Sequence, residues 1–150
     1  MIDTRVFEGL RLRVYKDTVG KRTIGYGHNL DGGSDLNVIK TGLDPDELRS
    51  GTSITIDQAK EIYDLDMGDV RRWIIRLVPN FTDHPVLVQE ILLDLGFNMG
   101  QRTLSQFRNT LGAFIRKDYE AAADGLEASR WYEQVKSRGV KIVGALRGVR

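Results

Sequence analysis

Between Thr55 and Pro79 the apolar residues fall at Ala59, Ile62, Tyr63, Met67, Val70, Ile74 and Leu77, the three-and-four spacing of a helix with one buried stripe. Thr55 and Gln58 have the spacing of a capping box, in which each side chain satisfies the other residue's free backbone N–H. Pro79, which cannot continue a helix, closes the pattern. About 24 residues at 1.5 Å each make a rod of roughly 36 Å. In a chain of 150 residues an element of that length predicts a connection between two lobes. The expected division is a small lobe over about 1–54, the helix over about 55–79 and a second lobe over about 80–150, all within one domain.

The two flanks differ in character. Residues 1–11 read as a short helix ending near Gly9. Val14 and Tyr15, then Thr23 to Tyr26, suggest two short strands joined by a turn around Thr18 to Lys21. Gly25 and Gly27 then alternate along a strand, which is unusual because glycine weakens strands. Asp31 to Ser34 is a loop, and Gly42 and Pro45 interrupt residues 35–50. Asp44 to Leu48 has Pro at the first position of a possible helical turn. Beyond Pro79 the spacing is helical throughout: Leu87, Val88, Ile91, Leu92 and Leu95; Phe107, Leu111, Phe114 and Ile115; Tyr119 to Leu126; Val140, Val143 and Leu146. Phe107, Trp131 and Tyr132 are assigned to the core, as helical aromatics usually are. The fold class is therefore α+β, with a short antiparallel sheet in the first lobe and an all-α second lobe.

Composition excludes several function classes. The chain has no cysteine, and its two histidines lie far apart in sequence, so neither a disulfide framework nor a transition-metal constellation is expected. No cofactor is expected either. No run approaches the ~20 apolar residues of a membrane span. The first residues lack the charged-then-apolar layout of a signal peptide, so nothing in the chain would export it. Net charge is +1, but six Lys/Arg against Glu133 alone leave residues 130–150 at +5, and residues 1–29 stand at +3. Positive ends around an acidic middle can steer an anionic polymer or simply form solvated helix faces. No nucleic-acid-binding motif accompanies the basic end.

Residues 8–28 concentrate the chemistry. Glu8 falls where the first helix ends, and Asp17 lies in or beside the turn between the strands. Thr23 opens the next strand, and His28 follows Gly27. Alone, each has an ordinary structural reading: a surface Glu, a turn Asp, a strand Thr. Together, two carboxylates on separate elements are what acid/base cleavage of a glycosidic bond needs. Asp66 lies beside Tyr63 and Met67 on the apolar stripe of the long helix, and a carboxylate there needs a partner.

Glu8-Gly-Leu-Arg-Leu, Tyr15-Lys-Asp17-Thr, Gly20 and Thr23-Ile-Gly-Tyr-Gly-His28 closely resemble the catalytic stretch of the phage T4-type lysozymes, the endolysin muramidases of glycoside hydrolase family 24. Phe97-Asn-Met-Gly100, Phe107-Arg-Asn-Thr-Leu111, and Ser129-Arg-Trp-Tyr132 followed by Arg138 extend the resemblance over nearly the whole chain. It is weakest over residues 31–54, and Asn29 stands where the family's best-known member has an apolar residue. The resemblance implies a two-lobed lysozyme fold and cleavage of the β-1,4 bond between N-acetylmuramic acid and N-acetylglucosamine in bacterial peptidoglycan. Glu8 would be the general acid, and Asp17 with Thr23 would hold the attacking water, giving single displacement with inversion. Phe97, Asn98, Thr110, Arg130 and Arg138 match substrate-binding positions. The family pattern also pairs His28 with Asp66, a structural ion pair rather than a catalytic one. The implied setting is a monomer made in the host cytoplasm, reaching the wall through a holin-like partner or carried in a virion. Two other readings stay open: a lytic transglycosylase, which needs only the acid, and a non-catalytic wall-binding or virion structural module.

Overall fold

Glycine ends the first helix. In the computed structural model, which describes residues 2–149, α1 covers Thr4–Glu8. Gly9 takes φ +71° and donates its N–H to the Arg5 carbonyl at 2.9 Å, the left-handed stop that a side chain resists. Three antiparallel strands follow in the order β1 (Arg11–Lys16), β2 (Arg22–Gly25) and β3 (His28–Asn29). Tyr15 stands opposite Thr23, and Ile24 opposite His28. The reading of Gly25 and Gly27 as bare strand is corrected here. Gly25 ends β2 at φ +67°, and Gly27 lies in the turn at φ +82°. These left-handed positions reverse the chain and create a third strand too short to announce itself in sequence.

Residues 31–54 also resolve into order. They form α2 (Leu36–Lys40) and α3 (Pro45–Arg49). Pro45 sits in the first turn of α3, and the Asp44 side chain caps it by accepting the Asp46 N–H. Ile24, Leu30, Val38, Leu48, Ile54, Ala59 and Ile62 make the buried cluster beneath the sheet and these helices.

The long helix α4 spans Ile56–Leu77. Both bonds of its capping box form: Gln58 N–H to Thr55 Oγ1 at 3.1 Å, and Thr55 N–H to Gln58 Oε1 at 2.9 Å. The chain divides into two compact units within this helix. One is Thr4–Asp69, and the other joins residues up to Asp3 with those from Val70 onward.

After α4 the second unit contains a 3₁₀ turn (Phe81–Asp83), α5 (Val86–Met99), α6 (Gln101–Ser105), α7 (Arg108–Ile115), α8 (Tyr119–Glu127), α9 (Arg130–Val135) and α10 (Ser137–Arg147). Its core is built from Val88, Ile91, Leu92 and Leu95 of α5, with Phe114, Leu126, Ile142 and Leu146 of the later helices. No helix among the described residues is long and apolar enough to cross a membrane. The antiparallel sheet and the predominance of helix make the fold α+β, as the sequence pattern implies.

Two features of the second unit lead to measurable expectations. A Cβ on Gly96 would stand 2.8 Å from Val70 Cγ1 and 2.9 Å from Trp73 Cη2, whereas one on Gly144 would meet nothing within 4 Å. Alanine favours a helix interior over glycine by about 1 kcal/mol, but forcing a methyl into a filled core costs about 1–3 kcal/mol. Urea denaturation should therefore show Gly144→Ala raising stability by up to about 1 kcal/mol and Gly96→Ala lowering it. The second feature is His84, which is buried. Asn80 Nδ2 donates to the Ile115 carbonyl, so Asn80 Oδ1 faces His84 Nε2, at 3.3 Å, as an acceptor. His84 Nδ1 is then left to accept from the Tyr119 hydroxyl at 2.7 Å, which fits a neutral ring. Burial, then the Lys117 charge, pulls the His84 pKa below its ordinary 6.5, with Asp83 opposing. The unfolded chain takes up the proton first as pH falls, so this stabilisation is present above about pH 6.5 and is lost as pH falls toward the depressed folded value. His84→Gln should flatten that part of the pH–stability curve relative to wild type.

Candidate active site

Glu8 is the last residue of α1, partly buried, and its carboxylate lies against the Gly27 backbone. The Gly27 turn returns the chain toward that helix end, and its missing side chain leaves the room the carboxylate uses. Asp17 follows β1. Its Oδ1 accepts the Val19 N–H at 3.0 Å and the Lys21 N–H at 2.8 Å, while the Asp17 N–H donates to the Lys21 carbonyl at 2.9 Å. The carboxylate is thereby fixed by its own turn. Thr23 on β2 is buried, and its hydroxyl donates to the same Lys21 carbonyl at 3.0 Å. With its proton so used, the Thr23 oxygen faces other groups as an acceptor.

Tyr15 links these carboxylates electrostatically. Burial raises its pKa first, then the Glu8 charge; Arg11 opposes, and Asp17 adds a further rise. Both carboxylates therefore act on one phenol, and the Arg11 guanidinium lies 5.2 Å from the centre of its ring. Sequence reasoning quoted Tyr15 within a motif but gave it no place in the site. Its position near the end of β1, two residues before Asp17, was the available signal.

His28 on β3 places Nδ1 2.7 Å from Asp66 Oδ2 on α4. Because the carboxylate only accepts, Nδ1 carries the hydrogen. Asn37 on α2 extends the contact, its Nδ2 donating to Asp66 Oδ1 and to Asp69 Oδ2, each at 2.8 Å. Two elements, β3 and α2, are thus tied to one face of α4. Asn37 and Asp69 were not foreseen, although Asp69 lies three residues from Asp66 and therefore on the same helix face.

In the second unit the candidate glycan-binding residues have unequal surroundings. Phe97 and Asn98 occupy the last turn of α5, and Asn98 Oδ1 accepts the indole N–H of buried Trp131 at 2.8 Å. Thr110 lines a hollow of about 340 Å³ together with Phe107, Asn109, Gly125 and Ser129. Phe107 and Tyr132 are only partly buried, which revises the assignment of both to the core, whereas Trp131 is buried as assigned. Arg130 begins α9 and is exposed. Arg138 is buried, and it donates from Nε and Nη2 to the two oxygens of fully buried Asp94, at 3.1 and 2.8 Å. Asp94 was missed, yet it lies among Ile91, Leu92 and Leu95, the same signal that marked Asp66. Among the described residues no cluster of His, Asp or Glu has the makings of a metal site.

A family model described as phage lysozyme matches residues 5–147. The chain is 30% identical over 144 residues to the pre-baseplate central spike protein Gp5 of Enterobacteria phage T4, covering 90% of this chain and 25% of that protein. It is 29% identical over 134 residues to peptidoglycan hydrolase gp36 of Pseudomonas phage phiKMV, covering 88% and 13% respectively. A probable T4-type lysozyme 2 of Dictyostelium discoideum is 23% identical over 150 residues, with 91% of this chain and 86% of that protein covered. The chain thus corresponds to a minor part of the length of the two phage relatives.

The Asp94–Arg138 pair generates a stability prediction. Removing one member of a buried pair strands the other charge and costs about 3–5 kcal/mol. Asp94→Ala should lose that much in urea denaturation, whereas Arg130→Ala, at an exposed position, should change stability by less than about 0.5 kcal/mol.

Proposed function

Because the chain belongs to the phage lysozyme family, we propose that it hydrolyses the β-1,4 bond between N-acetylmuramic acid and N-acetylglucosamine in bacterial peptidoglycan. The observation that carries this reading is the placement of two carboxylates on separate elements of one small unit: Glu8 ends α1 with its carboxylate against the Gly27 turn, while Asp17 and Thr23 are held by the turn and strand that follow β1. Glu8 donates its proton to the glycosidic oxygen as the bond from that oxygen to the anomeric carbon breaks. Water attacks the anomeric carbon from the opposite face, and its proton passes to Asp17.

The surroundings of Asp17 and Thr23 support their share of the work. Asp17 is held through Oδ1, and the Thr23 hydroxyl donates its hydrogen bond to the Lys21 carbonyl. A water donating one hydrogen to Asp17 and the other to Thr23 keeps an oxygen lone pair for attack. Holding the nucleophile in this way lowers the entropic part of the barrier. Phe97, Asn98, Thr110 and Arg130 contact the glycan. The half-buried Phe107 beside Thr110 and the amide of Asn98 suit sugar rings with N-acetyl groups. Arg138 supports this region through Asp94. The likeness to a phage spike protein supports carriage on a virion as a route to the wall, beside holin-assisted release from the host cytoplasm.

Glu8→Gln keeps the shape of the side chain and removes its acidity. With purified cell walls, turnover should fall about a hundred- to ten-thousand-fold, with the fold intact by circular dichroism. Wild-type products should carry free reducing ends. Anhydro ends would indicate a transglycosylase, and wall binding without any cleavage would indicate a non-catalytic module.

A further inference from the structure

We infer that Gly27 is a positioning residue for the Glu8 carboxylate: its bare Cα is the surface on which that carboxylate rests. A Cβ built at Gly27 would stand 2.8 Å from Glu8 Oε2, 3.0 Å from Cδ and 3.2 Å from Cγ. The first distance is shorter than any ordinary carbon–oxygen contact, and the other two leave the remainder of the side chain no slack. Of the atoms involved, the carboxylate is the end of a flexible side chain, whereas Gly27 is fixed in the turn that joins β2 to β3. A methyl group at this position is therefore relieved by moving the carboxylate, not the turn.

The neighbouring glycine separates this role from backbone conformation. Gly25 at φ +67° and Gly27 at φ +82° both occupy the left-handed region, so alanine at either position meets comparable strain. A Cβ at Gly25 would find Ala59 Cβ at 3.6 Å and Ile54 Cδ1 at 3.7 Å, ordinary contacts with no part of Glu8. The two substitutions share a conformational cost and differ in what they push. Only Gly27→Ala displaces the group that delivers the proton. This inference rests on the reading of Glu8 as the general acid, since a misplaced carboxylate matters only if that carboxylate reacts.

Gly25→Ala and Gly27→Ala should be compared in thermal melts and in steady-state kinetics on soluble, uncrosslinked peptidoglycan strands. Similar losses of melting temperature are expected. Gly27→Ala should lower kcat about a hundredfold, the scale of a misplacement near 1 Å, with KM close to wild type, while Gly25→Ala keeps most of its turnover at temperatures where it is folded. In a Glu8→Asp background, where the carboxylate is withdrawn by one methylene, Gly27→Ala should cost a much smaller factor than in wild type. Should the alanine variants not fold, Gly27→Asn and Gly25→Asn carry the comparison, because asparagine tolerates left-handed φ and places Cβ at the same point. Equal kcat losses for the two glycines, or the same factor for Gly27→Ala in both backgrounds, would overturn the inference. Near-normal turnover in Glu8→Gln would instead remove the acid assignment on which it rests.

Discussion

The contact between His28 and Asp66 couples the sheet to α4, and the arrangement of the proposed catalytic groups depends on that coupling. β3 is only two residues long, and a small three-stranded sheet is stable only when packed against other elements. The 2.7 Å contact fixes β3 on the helix, and β3 fixes β2 through the pairing of Ile24 with His28. Thr23 lies on β2, and the turn that leads into β2 carries Asp17. Asn37 adds α2 to the same helix face by filling the second oxygen of Asp66. A polar brace is costly unless its hydrogen bonds are made. Here both Asp66 oxygens are used, while the buried His28 Nε2 has no partner among the described residues.

Hung from that brace, the site divides its work between rigid and responsive parts. Asp17 is held by amides of its own turn, and Thr23 by the carbonyl that also receives the Asp17 N–H. These groups are prearranged before any ligand arrives, the condition under which positioning contributes most to rate. Glu8 is different. It ends a helix of five residues, and its carboxylate depends on the shape of the surface beneath it. The bare backbone at Gly27 supplies that surface.

Much of this was legible in the sequence, for identifiable reasons. The Thr55 to Pro79 spacing stated α4 to within two residues at either end, because a 3.6-residue period over six turns is hard to mistake. A carboxylate beside Tyr63 and Met67 on its apolar stripe marked Asp66 as needing a partner. The third strand was not legible: two residues carry no period, and Gly25 and Gly27 read as strand until their φ values show a reversal. The pairing of Asp94 with Arg138 was not legible either, since Arg138 was read only as a match to a substrate-binding position. Their ion pair spans 44 positions in sequence, and no local pattern links them, although Asp94 among Ile91, Leu92 and Leu95 carries the signal that identified Asp66. Phe107 was assigned to the core because Leu111, Phe114 and Ile115 continue its apolar spacing; it caps α7 instead, and its partly buried ring borders the hollow that Thr110 also lines.

The central claim is that Glu8 protonates the leaving oxygen while Asp17 and Thr23 hold a water for direct attack on the anomeric carbon. Proton NMR of the first-formed reducing end, recorded before mutarotation, tests it most directly. Direct attack by water inverts the centre, so a β-linked glycan should release the α-anomer first. An initial β-anomer would contradict the account, because it requires a double displacement or attack from the same face.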